Sequence, residues 1–318
     1  MSTRQFHVHF SISIPDSQRD RFLVEFGEGL SEGETSDLRT NVLVKGRITD
    51  DDLKLPNLTS LVIPWAGLPN ETRELCLSRR PDLPVFNLHH NGVSTAETAL
   101  ALMFSCAREV TFADRELRNG DWSRRYADST APLLSRRRML LLGYGAIGQH
   151  IEKVARSMGM EVDIVRRSSQ AGFFGLDDFD QLLPRADVLL IALPMTEETR
   201  GILDSQKLGL LPKGAIVVNV ARGPIVVEQA LFDLLKSGHL HSAGLDVWWN
   251  YPETEQDQLQ TSPGALPWHE LTNVVMSPHI GGASTETDQL RYDALFDLLC
   301  KLKTGKEPTS RVDLEAGY

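Results

Sequence analysis

Nine short apolar runs punctuate the chain, at 42–44, 60–63, 84–88, 139–142, 162–165, 188–193, 215–220, 243–247 and 274–276. They are rich in Val, Leu and Ile and do not alternate with polar residues. A strand that reads this way is buried on both faces, as in a parallel sheet covered by helices on either side. The segments between the runs carry helical patterns, so the chain predicts successive right-handed βαβ units and an α/β fold. The N-terminal segment differs. Phe6, Val8, Phe10, Ile12 and Ile14 alternate with His7, His9, Ser11 and Ser13. That period of two predicts a strand with one solvent face, carrying His7 and His9.

A length of 318 residues exceeds one small domain and suggests two. Two segments look like crossings between them. One is a long helical pattern over 94–119, with Ser94 or Thr95 as N-cap and Asn119-Gly120 as the stop. The other lies near Gly281-Gly282-Ala283-Ser284, before a last helix over 286–303. The expected organisation is one domain, 94–282, inserted into another made of 1–93 and 283–318.

Composition narrows the partners. Lys and Arg total 33 against 43 Asp and Glu, a formal charge of −10. An acidic chain argues against nucleic acid or an anionic membrane as partner. The three cysteines, Cys76, Cys106 and Cys300, show no metal-binding spacing and fit a reducing compartment. No signal peptide and no membrane-length apolar run is visible, so a cytoplasmic location is expected.

Chemistry enters at 139–148. The run Met139-Leu140-Leu141-Leu142 leads into Gly143-Tyr144-Gly145-Ala146-Ile147-Gly148 and then a helical pattern. Strand, glycine turn and helix in that order form a dinucleotide-binding fingerprint. Gly143 permits the turn, Gly145 lets the backbone approach a pyrophosphate, and Gly148 lets helix and strand pack closely. Free N–H groups and the positive end of the helix dipole hold the phosphates. The next strand ends in Arg166-Arg167-Ser168. An NAD site usually places a carboxylate there for the ribose 2′-OH. Two arginines and a hydroxyl suit a 2′-phosphate instead, so NADP is the expected cofactor, with NAD the second choice.

These motifs, with Leu193-Pro194-Met195-Thr196-Glu197-Glu198-Thr199-Arg200-Gly201, Asn219-Val220-Ala221-Arg222-Gly223, Gly244-Leu245-Asp246-Val247 and Ser277-Pro278-His279-Ile280-Gly281-Gly282, resemble the D-isomer-specific 2-hydroxyacid dehydrogenases in order and spacing. The resemblance implies a Rossmann domain inserted into a flavodoxin-like substrate domain, with the active site between them. It implies a catalytic Arg222 and a catalytic His279. A guanidinium suits a 2-oxo-acid carboxylate and polarises the adjoining carbonyl. A histidine protonates the developing alkoxide. Tyr144, Ala146, Ile147, Leu193, Pro194, Thr199, Ala221, Asp246, Gly281 and Gly282 are implied along the cofactor. Ala66, Gly67 and Asn91 are implied at the substrate. The substrate would be a small 2-keto acid such as glyoxylate or hydroxypyruvate, and the helix after residue 94 would build a homodimer.

One departure stands out. The family usually has a Glu five residues after Asp246, paired with the histidine; position 251 is Tyr. A phenol is neutral near pH 7 and supplies no charge. Glu253, two residues on, is the alternative partner. Without a carboxylate, His279 stays near an ordinary histidine and reduction favours mildly acidic pH. A formate dehydrogenase-like oxidoreductase, whose branch also lacks the Glu, is the second reading; a non-catalytic NADP(H)-binding corepressor-like module is the third. Trp248 and Trp249 are expected at the pocket wall or in packing, Trp268-His269 at the neighbouring pocket or a dimer partner, and Arg136-Arg137-Arg138 in a solvated turn.

Overall fold

The first five strands are β1 (Val8–Phe10), β2 (Leu30–Glu32), β3 (Val42–Val44), β4 (Ser60–Val62) and β5 (Val85–Phe86). They make one parallel sheet in the order β2-β1-β3-β4-β5, the flavodoxin-like arrangement. The computed structural model describes residues 6–167 and 169–317, and the chain divides into two compact units, Met1–Asn91 with Ser284–Tyr318, and Gly92–Ala283.

In the first unit both faces of the sheet are covered. Val42, Val44 and Val62 face a core with Phe22, Leu295 and Leu299 from the helices Asp16–Phe26 and Thr287–Lys303. Leu43, Leu61 and Val85 face the opposite core with Cys76 and Leu83. This two-sided burial overturns the solvent face expected for β1, since His7 and His9 are 2% and 1% exposed. β1 is an inner strand, between β2 and β3. His9 is tolerated inside because both ring nitrogens are bonded, to Ser31 Oγ at 2.8 Å and the Gly33 carbonyl at 2.9 Å. His7 has neither ring nitrogen hydrogen-bonded, and burial holds its pKa below the usual value despite the Asp37 carboxylate 3.7 Å from its Nε2.

The second unit holds β6 (Arg138–Leu142), β7 (Glu161–Val165), β8 (Val188–Ile191), β9 (Ile216–Asn219), β10 (Ser242–Leu245) and β11 (Val274–Met276). All neighbours are parallel, in the order β11-β10-β9-β8-β6-β7. The chain passes from β6 to β7 on one side and returns to β8 on the other. The switch point at β6 is where a doubly wound sheet opens a crevice at the carboxyl ends of its strands. Alternate residues face different cores: Leu140, Leu142, Leu189, Ile191 and Val217 one way, Met139, Leu141, Leu190 and Val218 the other. Each such side chain contributes about 1.5–3 kcal/mol when fully buried, which is why neither face tolerates a polar residue.

The helix expected over 94–119 is two helices, Gly92–Arg108 and Val110–Arg118. Glu109 breaks it with a left-handed φ of 56°. The turn swings the Glu109 side chain inward, where its carboxylate pairs with Arg124 and accepts from Thr130 Oγ1 at 2.6 Å. The first helix begins two residues before the expected caps. Ser94 donates instead to the carbonyls of Gly281 and Ala283, at 2.9 and 3.0 Å. Small residues bring this helix onto the sheet: a Cβ on Gly244 of β10 would lie 2.8 Å from Leu102 Cβ.

Two other expectations change. Arg136 and Arg137 are exposed as expected, but Arg138 is not a solvated turn residue. Arg137 pairs with Asp187 at 2.8 Å, and Arg138, on β6, pairs with Asp163 at 3.1 Å and with Glu161. Trp268 does not reach outward; it is 1% exposed and stacks on Trp249 at 5.2 Å between ring centroids.

Candidate active site

The fingerprint turn follows β6 at the switch point. Gly143 has φ 100°, and a Cβ there would meet the Ala192 carbonyl oxygen at 2.5 Å. A Cβ on Gly148 would sit 2.3 Å from the Gly143 carbonyl oxygen. Both glycines are therefore fixed by close backbone approach. Gly145 differs: no atom lies within 4 Å of its Cβ position, and its φ of −83° suits any residue. It caps the helix Ala146–Ser157, whose first turn offers unpaired N–H groups. Open space at Gly145 beside a helix N-terminus fits a dinucleotide pyrophosphate. Gly145→Val is expected to fold with an unchanged Tm and to weaken cofactor binding about 100-fold, measured by fluorescence titration.

Arg166 follows β7, with its guanidinium 5.1 Å from the centre of the Phe173 ring. Phe173 packs on Tyr144 at 4.9 Å, and the Tyr144 hydroxyl donates to Glu152. This stack gives Arg166 a fixed platform at the end of the strand. Arg167 is exposed beside it, and Ser168 lies outside the described residues. Asp163, the nearest strand carboxylate, is engaged by Arg138 and Arg185.

In the loop after β8, Leu193 is buried and Pro194 half-buried. Thr199 is 4% exposed, and its hydroxyl accepts from Thr196 N–H and donates to the Pro194 carbonyl, both at 2.8 Å. Its side chain shapes this loop from within.

Two loops at the carboxyl ends of β9 and β11 hold the candidate residues Arg222 and His279. Asn219, fully buried at the end of β9, accepts from Ala221 N–H and donates to the Arg222 carbonyl, both at 3.0 Å. It locks the backbone that presents Arg222, whose side chain is exposed. Asp246, 1% exposed after β10, holds the second loop. Its Oδ1 accepts from Ser277 Oγ at 2.6 Å and Ile280 N–H at 3.0 Å; its Oδ2 accepts from Gly281 N–H at 2.8 Å. His279 lies inside that clamp with φ 56°, a strained backbone that the three bonds impose. Trp248 reinforces it, donating from Nε1 to the Ser277 carbonyl at 2.9 Å. Desolvation and the Arg222 charge hold the His279 pKa below its usual value, against a smaller opposing effect of Asp246.

Tyr251 packs against His279, with ring centroids 5.5 Å apart. Its hydroxyl accepts from Trp248 N–H at 3.1 Å, and desolvation raises its pKa. The structure thus brings Arg222, Asp246, Tyr251 and His279 together at one sheet edge, with Ala221, Gly281 and Gly282 in the same two loops. Glu253 is exposed and does not figure among the charges acting on His279. Ala66, Gly67 and Asn91 belong to the first unit, where Asn87 Nδ2 fixes the Ala66 carbonyl at 2.7 Å. Sequence reading assigned no role to Asn219 or Ser277, whose only signal was their place in the motifs that carry Arg222 and His279.

The NAD binding domain profile of the D-isomer specific 2-hydroxyacid dehydrogenases matches residues 100–281. The chain belongs to that family. It is 33% identical to glyoxylate/hydroxypyruvate reductase B of Yersinia pestis over 92% of this chain and 93% of that protein. It is 36% identical to D-3-phosphoglycerate dehydrogenase of Mycobacterium leprae over 73% of this chain, a match that spans 42% of the longer relative. Among solved structures, a D-isomer specific 2-hydroxyacid dehydrogenase from Xanthobacter autotrophicus, in complex with NADPH and MES, aligns with TM-score 0.79 at 23% identity, over 99% of this chain and 100% of that one. The last likeness shows the shared fold: a Rossmann-type unit and a flavodoxin-like unit. Arg222 and His279 are the residues that the resemblance implies as catalytic, and Tyr251 stands at the position where it implies a Glu.

Proposed function

We propose that this 2-hydroxyacid dehydrogenase is an NADPH-preferring reductase of small 2-oxo acids such as glyoxylate or hydroxypyruvate. The observation that carries the reading is the clamped His279 beside Arg222, at the sheet edge that also bears the glycine turn. Arg222 grips the substrate carboxylate with a two-pronged donor and polarises the adjoining carbonyl. His279 delivers a proton to the carbonyl oxygen as charge develops there. A bound reduced nicotinamide supplies the hydride. Ala66, Gly67 and Asn91 take the substrate-binding role implied by the resemblance, and Leu193, Pro194, Ala221, Gly281 and Gly282 line the cofactor. The relative named glyoxylate/hydroxypyruvate reductase, matched over nearly its whole length, supports this substrate class. A panel of 2-oxo acids with NADPH and NADH, followed by loss of reduced-nicotinamide absorbance, tests it. No turnover with any member would remove the reading.

Cofactor preference rests on Arg166 and Arg167. Arg166→Asp is expected to raise the KM for NADPH about 100-fold and to lower that for NADH, because the substituted carboxylate accepts from a 2′-OH and repels a 2′-phosphate. Unchanged selectivity would move the assignment elsewhere.

Assembly and location belong to the same proposal. Val110, Leu117, Trp122, Tyr126 and Leu133 are exposed on the segment after Glu109. Such a patch suits a homodimer, testable by sedimentation velocity. No helix among the described residues is long and apolar enough to cross a membrane; the cytoplasmic location stays part of the proposal.

A further inference from the structure

We propose that His279 acquires its proton when the substrate carboxylate binds, and that Tyr251 is the positioning residue that holds the imidazole ready without charging it. This rests on the reductase reading and adds where the proton comes from.

The geometry begins with what faces His279. Arg222, Asp246 and Tyr251 are the charged and titratable groups acting on it or packed against it. Asp246 is the only carboxylate among them in the described residues, and both its oxygens are engaged by Ser277 Oγ and the N–H groups of Ile280 and Gly281. No hydrogen bond joins its carboxylate to the His279 ring among the described residues. Tyr251 presents a neutral ring, and its hydroxyl is turned to Trp248 N–H rather than to the imidazole. The ring is thereby oriented but has no anion to keep it protonated. Arg222 adds a repelling positive charge.

A 2-oxo acid changes both terms at once. Its carboxylate neutralises Arg222 and places a negative charge near the imidazole, and each effect favours the imidazolium. One proton is then taken from solvent on binding. In the chemical step the carbonyl carbon gains the hydride and the C=O π pair moves to oxygen. That oxygen takes the imidazolium proton and His279 is left neutral, while a bound reduced nicotinamide would supply the hydride with its electron pair. The proton consumed by the net reduction is the one taken up on binding.

The experiment titrates the full chain, saturated with NADPH, with oxamate, an unreactive 2-oxo-acid mimic. Calorimetry in phosphate and in Tris at about pH 7.5 separates proton uptake from binding heat. Uptake approaching about one proton per site is expected. Tyr251→Glu places an anion against the ring and is expected to bring uptake close to zero. It should also move the midpoint of kcat/KM for reduction alkaline by about one unit or more. A structural role alone would not move that midpoint. Wild type provides a check that needs no variant: kcat/KM should fall through a midpoint below 6.5, while kcat, which reports the loaded enzyme, falls at higher pH. Oxamate binding without uptake, equal uptake in Tyr251→Glu, or coincident midpoints overturns this proposal and leaves the reductase reading standing. No oxamate binding at all removes both.

Discussion

Arg222→Ala is expected to lower kcat/KM for 2-oxo acids about 1000-fold while leaving Tm within about 1 °C of wild type. The asymmetry follows from where the side chain sits. Arg222 is exposed, and its own hydrogen bond is to the Ala221 carbonyl at 2.6 Å, so folding gains little from it. Substrate and transition state gain much more: a paired donor for the carboxylate and a positive field at the carbonyl oxygen. A 1000-fold loss corresponds to about 4 kcal/mol of transition-state stabilisation. Arg222→Lys should recover little, because an ammonium lacks the planar fork. A second readout comes from His279. Removing the neighbouring positive charge should raise its pKa in the free protein, visible by NMR as an alkaline shift of its ring protons. Steady-state kinetics decides the first claim, and an alanine variant with wild-type kcat/KM would show that another group binds the carboxylate.

How far the sequence could be read depended on which forces were local. The apolar runs predicted β3 to β11 closely, because a strand buried on both faces declares itself in composition alone. β2 was not anticipated. Leu30-Ser31-Glu32 is a three-residue edge strand with polar content, and only its pairing to β1 defines it. His7 and His9 were misread for a related reason. Alternation shows which residues share a face, not whether that face is wet, and Ser31 and Gly33 make the interior acceptable to His9. The break at Glu109 was hidden too, since its partners Arg124 and Thr130 lie 15 and 21 residues on. In the candidate site, the glycine turn was legible because backbone approach demands particular residues. The division of labour among the polar residues was not. Asp246 reads in sequence as a cofactor neighbour; that its carboxylate accepts from Ser277, Ile280 and Gly281 of the His279 loop could not be read there. Trp248 and Trp249 read as pocket wall or packing, and which carbonyls their indoles bond, Ser277 and Val226, could not be read.

That clamp carries the other large effect. Asp246→Ala should cost about 3–5 kcal/mol of stability and lower kcat at least about 100-fold. The carboxylate is buried, and its loss strands two backbone N–H groups, of Ile280 and Gly281, and the Ser277 hydroxyl. Each unsatisfied buried group costs about 1–3 kcal/mol. For a unit of this size the expected fall in Tm is about 6–20 °C. The rate falls for a separate reason. His279 is held at φ 56°, and a freed loop relaxes toward negative φ, turning the imidazole away from Arg222 and Tyr251. Asp246→Asn separates the two effects. It keeps the size and one acceptor oxygen, but an amide donor replaces an acceptor toward either Gly281 N–H or the Ser277–Ile280 pair. It should therefore recover part of the stability while the histidine loop stays misplaced and kcat stays low. Thermal unfolding and kcat measured on both variants decide it: Tm and kcat rising together in Asp246→Asn would mean that Asp246 acts through stability alone, and wild-type values in Asp246→Ala would remove the clamp from the mechanism.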